Sequence, residues 1–341
     1  MHENLPLVTV GLAVYNGENF IREAIDSILG QTFRDFELII TDNASTDSTQ
    51  RICEAYAAQD ARVRYVRNPE NLGCTQNQNY TVKLARGKYF KLAAHDDVCA
   101  PTMLEKCVGV LEREPDVVVC FPQAQVIDNT GKPLEKGIGK NDELYVGMTN
   151  ANVHLRVDSP KAAERFGDLA CFPHSGHHLF GVIRLDALRR TPLMGTYAGT
   201  DLVLLARLSL LGRFHEVPEK LFFLRRHEAQ SLSINAISSI LLSIWYDESR
   251  RGRLNFPRWE RFWRYAAAVQ ETQLSLGDRL ACYGQLIRLF RVSWKELAKD
   301  LAVASLQLLD KLNSNLVRTQ IVEIYEGRRE ELLLGRIPRL Q

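Results

Sequence analysis

A chain of 341 residues, 45% of them apolar, can bury one large core or a core with an appendage. Its 43 basic and 41 acidic residues leave a net charge of +2, so there is no electrostatic footprint for sequence-independent nucleic-acid binding. Seven cysteines, odd in number and without a C-x-x-C pair, argue against a disulfide framework or a zinc ribbon and for a reducing compartment.

The N-terminal stretch MHENLPLVTVGLAVYNG lacks a basic leader, and no later run reaches the ~20 apolar residues of a membrane span; the expectation is a soluble, cytoplasmic chain. Residues 7–14, LVTVGLAV, form a short β-rich run that stops at Asn16-Gly17, and ENFIREAIDSILGQT follows with apolar residues at helical spacing. The unit recurs as FELIITD then STDSTQRICEAYAAQ, RVRYVRN then CTQNQNYTVKLA, and KYFKLAA then APTMLEKCVGVLERE, before the buried strand DVVVCF. Short apolar strands alternating with helices predict an α/β fold, a mostly parallel sheet with helices on both faces.

After Phe121 the alternation loosens. QAQVIDNTGKPLEK reads as two strands around a turn, KGIGKNDELYVGMTN as a loop, and SPKAAERFGDLA as a helix capped by Ser159. HHLFGVIRLDALRR reads as a strand turning into a helix, and GTDLVLLARLSLLG as a helix ending at Gly212. From about residue 236 only helices are predicted, giving a catalytic-type domain over 1–235 and a helical extension over 236–341.

Ligands of open α/β sheets bind outside the carboxyl ends of the strands, where Asp42 closes the second strand and Asp96-Asp97 follow the fourth. Asp47, in DNASTDST, reads as part of a capping turn with Ser45 or Thr46. For HDD two readings stand: a helix-initiating turn, or a site for a hard divalent cation and its phosphate ligand.

The series VTVGLAVYNGENFIREAIDSILGQTFRDFELIITDNASTDST, then NLGCTQNQN and ARGKYFKLAAHDDVCAPTMLEK, resembles glycosyltransferase family 2 in order and spacing over about residues 6–230. That resemblance implies the GT-A fold, a Rossmann-like sheet, followed here by the all-helical extension. It implies inverting transfer of a sugar from a nucleotide sugar, UDP or dTDP sugars favoured, to a glycan or lipid-linked acceptor, as in surface-polysaccharide synthesis. By position, Thr9, Ala13, Tyr15 and Asp42 would line the nucleotide pocket, Asp96 would touch donor sugar or ribose, and Asp97 would bind Mn2+ or Mg2+. Ala13 stands where the family usually has proline, and Ala94 replaces the first acid of its D-x-D-D run.

YAGTDLVLLARLSLLG resembles the family's second landmark, which makes Asp201 the catalytic base; on physics alone the same aspartate serves as a first-turn acid with Thr200 as cap. Thr200 also replaces an acid common in relatives. His174, His177 and His178, in FPHSGHHLFG, supply either an acceptor-pocket wall or zinc ligands. Arg226 and His227, with Arg225, lie either beside the diphosphate or in a solvated basic turn.

In the tail, Trp245, Tyr246, Trp259, Phe262, Trp263 and Tyr265 read as core contacts, while the interleaved arginines leave a solvated face, peripheral membrane contact at the inner surface, or self-association open. A catalytically degenerate nucleotide-sugar-binding or scaffolding protein is the rival reading, because Ala94 and Thr200 both replace acids. A dehydrogenase is disfavoured, since GLAVYNGENF lacks G-x-G-x-x-G.

Overall fold

The computed structural model describes residues 5–135, 155–227, 239–251 and 253–312. The predicted units appear in order: β1 (Val8–Val14), α1 (Ile21–Leu29), β2 (Phe36–Asp42), α2 (Thr49–Gln59), β3 (Val63–Arg67), α3 (Cys74–Leu84) and β4 (Tyr89–Ala93). A two-residue strand, β5 (Val98–Cys99), intervenes before α4 (Met103–Arg113) and β6 (Val117–Ile127). Then come α5 (Ala162–Cys171), a 3-10 turn at His177–Phe180, β7 (Val182–Arg184), α6 (Leu185–Arg189), α7 (Thr200–Leu211) and β8 (Arg213–Arg225). The remaining helices are α8 (Ser239–Tyr246), α9 (Pro257–Glu271) and α10 (Leu276–Leu312). The predicted loop at 136–150 and the domain boundary near 235 lie outside the described residues.

One eight-stranded sheet runs β3-β2-β1-β4-β7-β6-β8-β5. The first four spatial neighbours are parallel, with Val14 opposite Asp42, Asp42 opposite Arg67, and Leu12 opposite Ala93. β7 joins antiparallel to β4 and β6, β6 pairs parallel with β8, and β5 closes the edge antiparallel to β8. QAQVI belongs to one long strand, β6, and the predicted turn follows it: Ile127 bridges Pro133 antiparallel, Asp128 N donates to the Lys132 carbonyl and Leu134 N to the Val126 carbonyl.

The carboxyl ends of β1, β2, β3 and β4 share one edge. Val8, Val10, Leu12 and Val14 point into the core under α1, α2 and α4, while Thr9, Gly11 and Ala13 alternate onto the α3 side. At Gly11 a Cβ would fall 2.5 Å from Thr81 Oγ1 and 2.7 Å from Phe90 Cζ, so α3 rests directly on β1. Asn77, inside α3, donates to the Thr41 carbonyl and accepts from Asn68, pinning the helix to the strand ends.

The C-terminal helices share a core with the sheet domain. Phe166, Val203 and Leu210 cluster with Tyr265, Cys282 and Leu286, and the buried Asp300 carboxylate accepts from Arg258 at 2.8 Å. Tyr265 is buried as expected, but Trp263 is 61% exposed, which corrects its reading as a core contact. A helix with apolar residues on several faces does not say which of them is covered.

Candidate active site

HDD is not a helix-initiating turn, because α4 starts at Met103 with Thr102 as its N-cap residue. The turn instead links β4 to β5. β5 is zipped to β8, whose last residue, Arg225, donates its backbone N–H to Asp97 Oδ1 at 2.9 Å. The Arg225 guanidinium is 1% exposed and donates to the carbonyls of Asp96, Asp128 and Asn129 and to Glu23 Oε2, over the Phe20 ring. Arg225 therefore holds the acidic turn in place and is not offered to a phosphate. Arg226 is buried with its backbone N–H on Ile127, so neither arginine is part of a solvated turn.

Asp96 and Asp97 are both buried. Burial raises the Asp96 carboxyl, but His95 and the hydrogen-bonded His227, 3.1 Å away, outweigh it and hold the group below the usual carboxylate range. Burial and then the Asp96 charge push Asp97 well above that range. Two adjacent buried acids with one backbone donor between them form a pair that a cation would stabilise. A hard divalent ion takes one or two carboxylates and completes its shell with phosphate and water, so Asp97 with Asp96 fits such an ion. Among the described residues no three His, Cys, Asp or Glu side chains converge on a metal position, so the oxygens of a bound diphosphate would have to supply the rest.

Asp42 is fully buried at the end of β2. Its Oδ1 accepts from Ser45 N, and its Oδ2 from the Tyr65 hydroxyl at 2.6 Å and from Arg67 at 2.7 Å. Both Asp42 oxygens are thus engaged inside the protein, while Arg67, one-third exposed, stands opposite it in register. Tyr15 and Ala13 are half-buried at the end of β1 beside this pair. Thr9 is not with them: six residues before Tyr15, ~20 Å along the chain, its hydroxyl donates to Glu37 and accepts from the Arg86 and Gly87 amides. Asp47 does sit in the turn that opens α2, accepting from Thr49 N and Glu18 N, but the N-cap residue is Ser48 and neither Ser45 nor Thr46 caps the helix.

Asp201 opens α7 behind Gly199, whose φ of +78° suits glycine and makes it the N-cap residue. The Thr200 hydroxyl accepts instead from Gly195 N, so it ties the preceding loop and is not the cap. The Asp201 carboxylate lies against Gly176, where a Cβ would stand 3.6 Å from Oδ2. Cys74, first residue of α3, joins the two acidic groups. Its thiol is reached by solvent yet otherwise enclosed, and that enclosure, then the carboxylates of Asp201 and Asp96, push it up to about 11. Tyr246, at the end of α8, is raised well above its usual range by burial and then by Asp201 and Cys74. The charge of Asp96 and Asp201 thus reaches Cys74, and that of Asp201 reaches Tyr246.

The histidines form the wall behind Asp201. His174 accepts from Gly176 N at Nδ1 and bonds the Leu169 carbonyl through Nε2, so neither nitrogen is available to a metal. His177 and His178 stack at 4.5 Å, and Phe121 packs on His178 at 4.4 Å. Burial lowers His177 to about 4, and lowers His178 in the same direction. Both stay neutral in the folded chain while their unfolded forms titrate near ~6.5. The stability they leave intact above that value is lost as pH falls toward 4. His177 alone should withdraw about 2 kcal/mol at pH 5 relative to pH 7; urea unfolding at both pH values should show that loss, and an equally steep loss in His177→Gln would refute its origin.

The sequence profile described as Glycosyl transferase family 2 matches residues 9–167. An uncharacterized glycosyltransferase of Haemophilus influenzae is 34% identical over 237 residues, 68% of this chain and 69% of that protein. The chain belongs to glycosyltransferase family 2. A Methanocaldococcus jannaschii relative, also described as an uncharacterized glycosyltransferase, is 36% identical over 133 residues, but this family 2 chain spans only 46% of its length. Against a Rickettsia bellii relative it spans 19%. Among solved structures, S. aureus TarS 1-349 in complex with UDP-GlcNAc superposes with a TM-score of 0.60 at 15% identity, over 94% of this chain and 81% of that one. The mannosyltransferase PcManGT of Pyrobaculum calidifontis, in complex with GDP-Man and Mn2+, superposes at 0.50 and 17% identity over 92% and 89%. The fold is GT-A with a C-terminal helical part.

Sequence reasoning missed Arg67, Cys74 and Tyr246. For Arg67 a signal existed: in a parallel sheet the residue closing β3 stands beside the acid closing β2. Tyr246 had none, because 11 residues outside the description separate α8 from β8.

Proposed function

We propose that this family 2 protein transfers a sugar from a nucleotide sugar to a hydroxyl of a glycan or lipid-linked acceptor, with inversion, in surface-polysaccharide assembly. What supports this reading is membership of family 2 together with acids set at the sheet's carboxyl edge, Asp42 closing β2 and the buried Asp96 and Asp97 after β4, and a further acid, Asp201, in the first turn of α7. Asp201 takes the acceptor proton as the oxygen attacks the anomeric carbon, and the bond to the nucleoside diphosphate breaks on the opposite side. Mn2+ or Mg2+ held by Asp97 and Asp96 would supply positive charge to the departing diphosphate. His227, bonded to Asp96, orients that carboxylate toward the donor, and the neutral histidine wall keeps the acceptor side dry. Tyr15 stacks on the base, and Arg67, steered by Asp42, donates to a carbonyl at its edge.

Uracil and thymine offer such a carbonyl, which favours UDP or dTDP sugars. The mannosyltransferase neighbour was solved with GDP-Man, and guanine too has a carbonyl, so GDP belongs in the test. The seven cysteines are unpaired, in keeping with a reducing cytoplasm, and among the described residues no helix is long and apolar enough to cross a membrane.

The test is calorimetric titration with UDP, dTDP and GDP, each with Mn2+ and with EDTA. Metal-dependent micromolar binding of one nucleotide supports the reading; absence of binding to all three favours the degenerate scaffold. Arg67→Ala should weaken the preferred nucleotide about tenfold, the effect of one charge-assisted hydrogen bond. Unchanged affinity would remove Arg67 from the site.

A further inference from the structure

Helix α10 carries two apolar stripes. Cys282, Leu286, Leu289 and Leu297 are buried, the first three in the core shared with α5, α7 and α9. About 100° further round, a second stripe at alternating spacings of three and four holds Leu280, Tyr283, Ile287, Phe290 and Trp294, all exposed; Ile287 is 57% and Trp294 54% open. This stripe continues onto α9 through ring contacts, Phe290 to Trp259 at 6.3 Å and Trp259 to Trp263 at 6.4 Å. The result is one open apolar face across two helices, with two exposed tryptophans.

Charge says what covers it. Residues 247–300 hold eleven Lys and Arg against seven Asp and Glu, a local excess of +4 in a chain whose total is +2. Arg291 and Lys295 are exposed beside the stripe, with Lys295 5.9 Å from the Trp294 ring centre, while Arg288 lies over the Phe172 ring on the α5 side. The α10 acids in this stretch are already engaged, Glu296 by Arg258 and Lys299, Asp278 by Ser275. A second copy would bring basic flank against basic flank with no acid to answer it. An anionic bilayer supplies both what the apolar stripe lacks and what the cations lack, and tryptophan favours its interface.

We propose that the α9–α10 face seats this protein on an anionic phospholipid bilayer, with Trp263 and Trp294 entering the headgroup layer and Arg291 and Lys295 lying against lipid phosphates. This does not depend on which sugar is moved.

The test is co-sedimentation of the full chain with phosphatidylcholine vesicles, with and without phosphatidylglycerol, together with tryptophan emission. Binding is expected only with phosphatidylglycerol, with a blue shift, and falls in high salt. Arg291→Gln/Lys295→Gln should reduce partitioning about thirtyfold, at ~1 kcal/mol per charge. Trp263→Ser/Trp294→Ser should abolish the blue shift, with nucleotide titration unchanged in both variants. Three outcomes overturn the proposal: no binding to either vesicle, equal salt-insensitive binding to both, or a concentration-dependent dimer that these variants dissociate while vesicle binding persists.

Discussion

Asp201→Asn should lower sugar transfer by about three orders of magnitude and leave nucleotide affinity within about twofold. A positioned general base contributes roughly 10²–10⁴ in rate, and asparagine keeps the shape and the first-turn position while losing the proton acceptor. The carboxylate stands against the Gly176 backbone and makes no contact with Asp42, Arg67 or Asp97, so its loss should not reach the nucleotide. The competing role is electrostatic, an acid at the start of α7, and would contribute only ~0.3–1 kcal/mol to stability. Transfer and thermal unfolding measured on the same preparation separate the two. Full transfer with a lowered melting point would mean that Asp201 only complements the helix.

Asp97→Asn should remove the metal-dependent part of nucleotide binding, at least tenfold in Kd with Mn2+, while the EDTA value stays as in the wild type. Asparagine keeps the Oδ1 that accepts from Arg225 N, so the β4–β5 turn survives and only the charge is withdrawn. The same change should raise the melting point of the metal-free protein. It deletes a buried charge set against Asp96, which the fold tolerates at a cost in stability. A rise in melting point with loss of metal-dependent binding is the signature of a site strained for function. Metal-dependent affinity persisting in Asp97→Asn would show that Asp96 and the phosphates suffice, and the assignment of Asp97 would fall.

Much of this was legible in the sequence. Strand and helix periods are local, so the runs from β1 to α4 read directly from apolar spacing, and Asp42, Asp96 and Asp97 fell at strand ends because turn residues punctuate those runs. Asp201 was marked by glycine before a helical period. The roles of these groups were another matter. Thr9 lies on the same strand as Tyr15, but only the pairing of β1 with β2 put its hydroxyl on Glu37, at the wrong end. Arg225 looked like a phosphate ligand until β8 paired with β5 and buried its guanidinium under the acidic turn. Tertiary structure alone decided that Cys74 and Tyr246 meet Asp201, and that Trp263 faces outward while Tyr265 faces in. The physical reason is the same in each case: spacing along a chain fixes which side chains share a face, but which face is covered, and by what, depends on residues up to two hundred positions away.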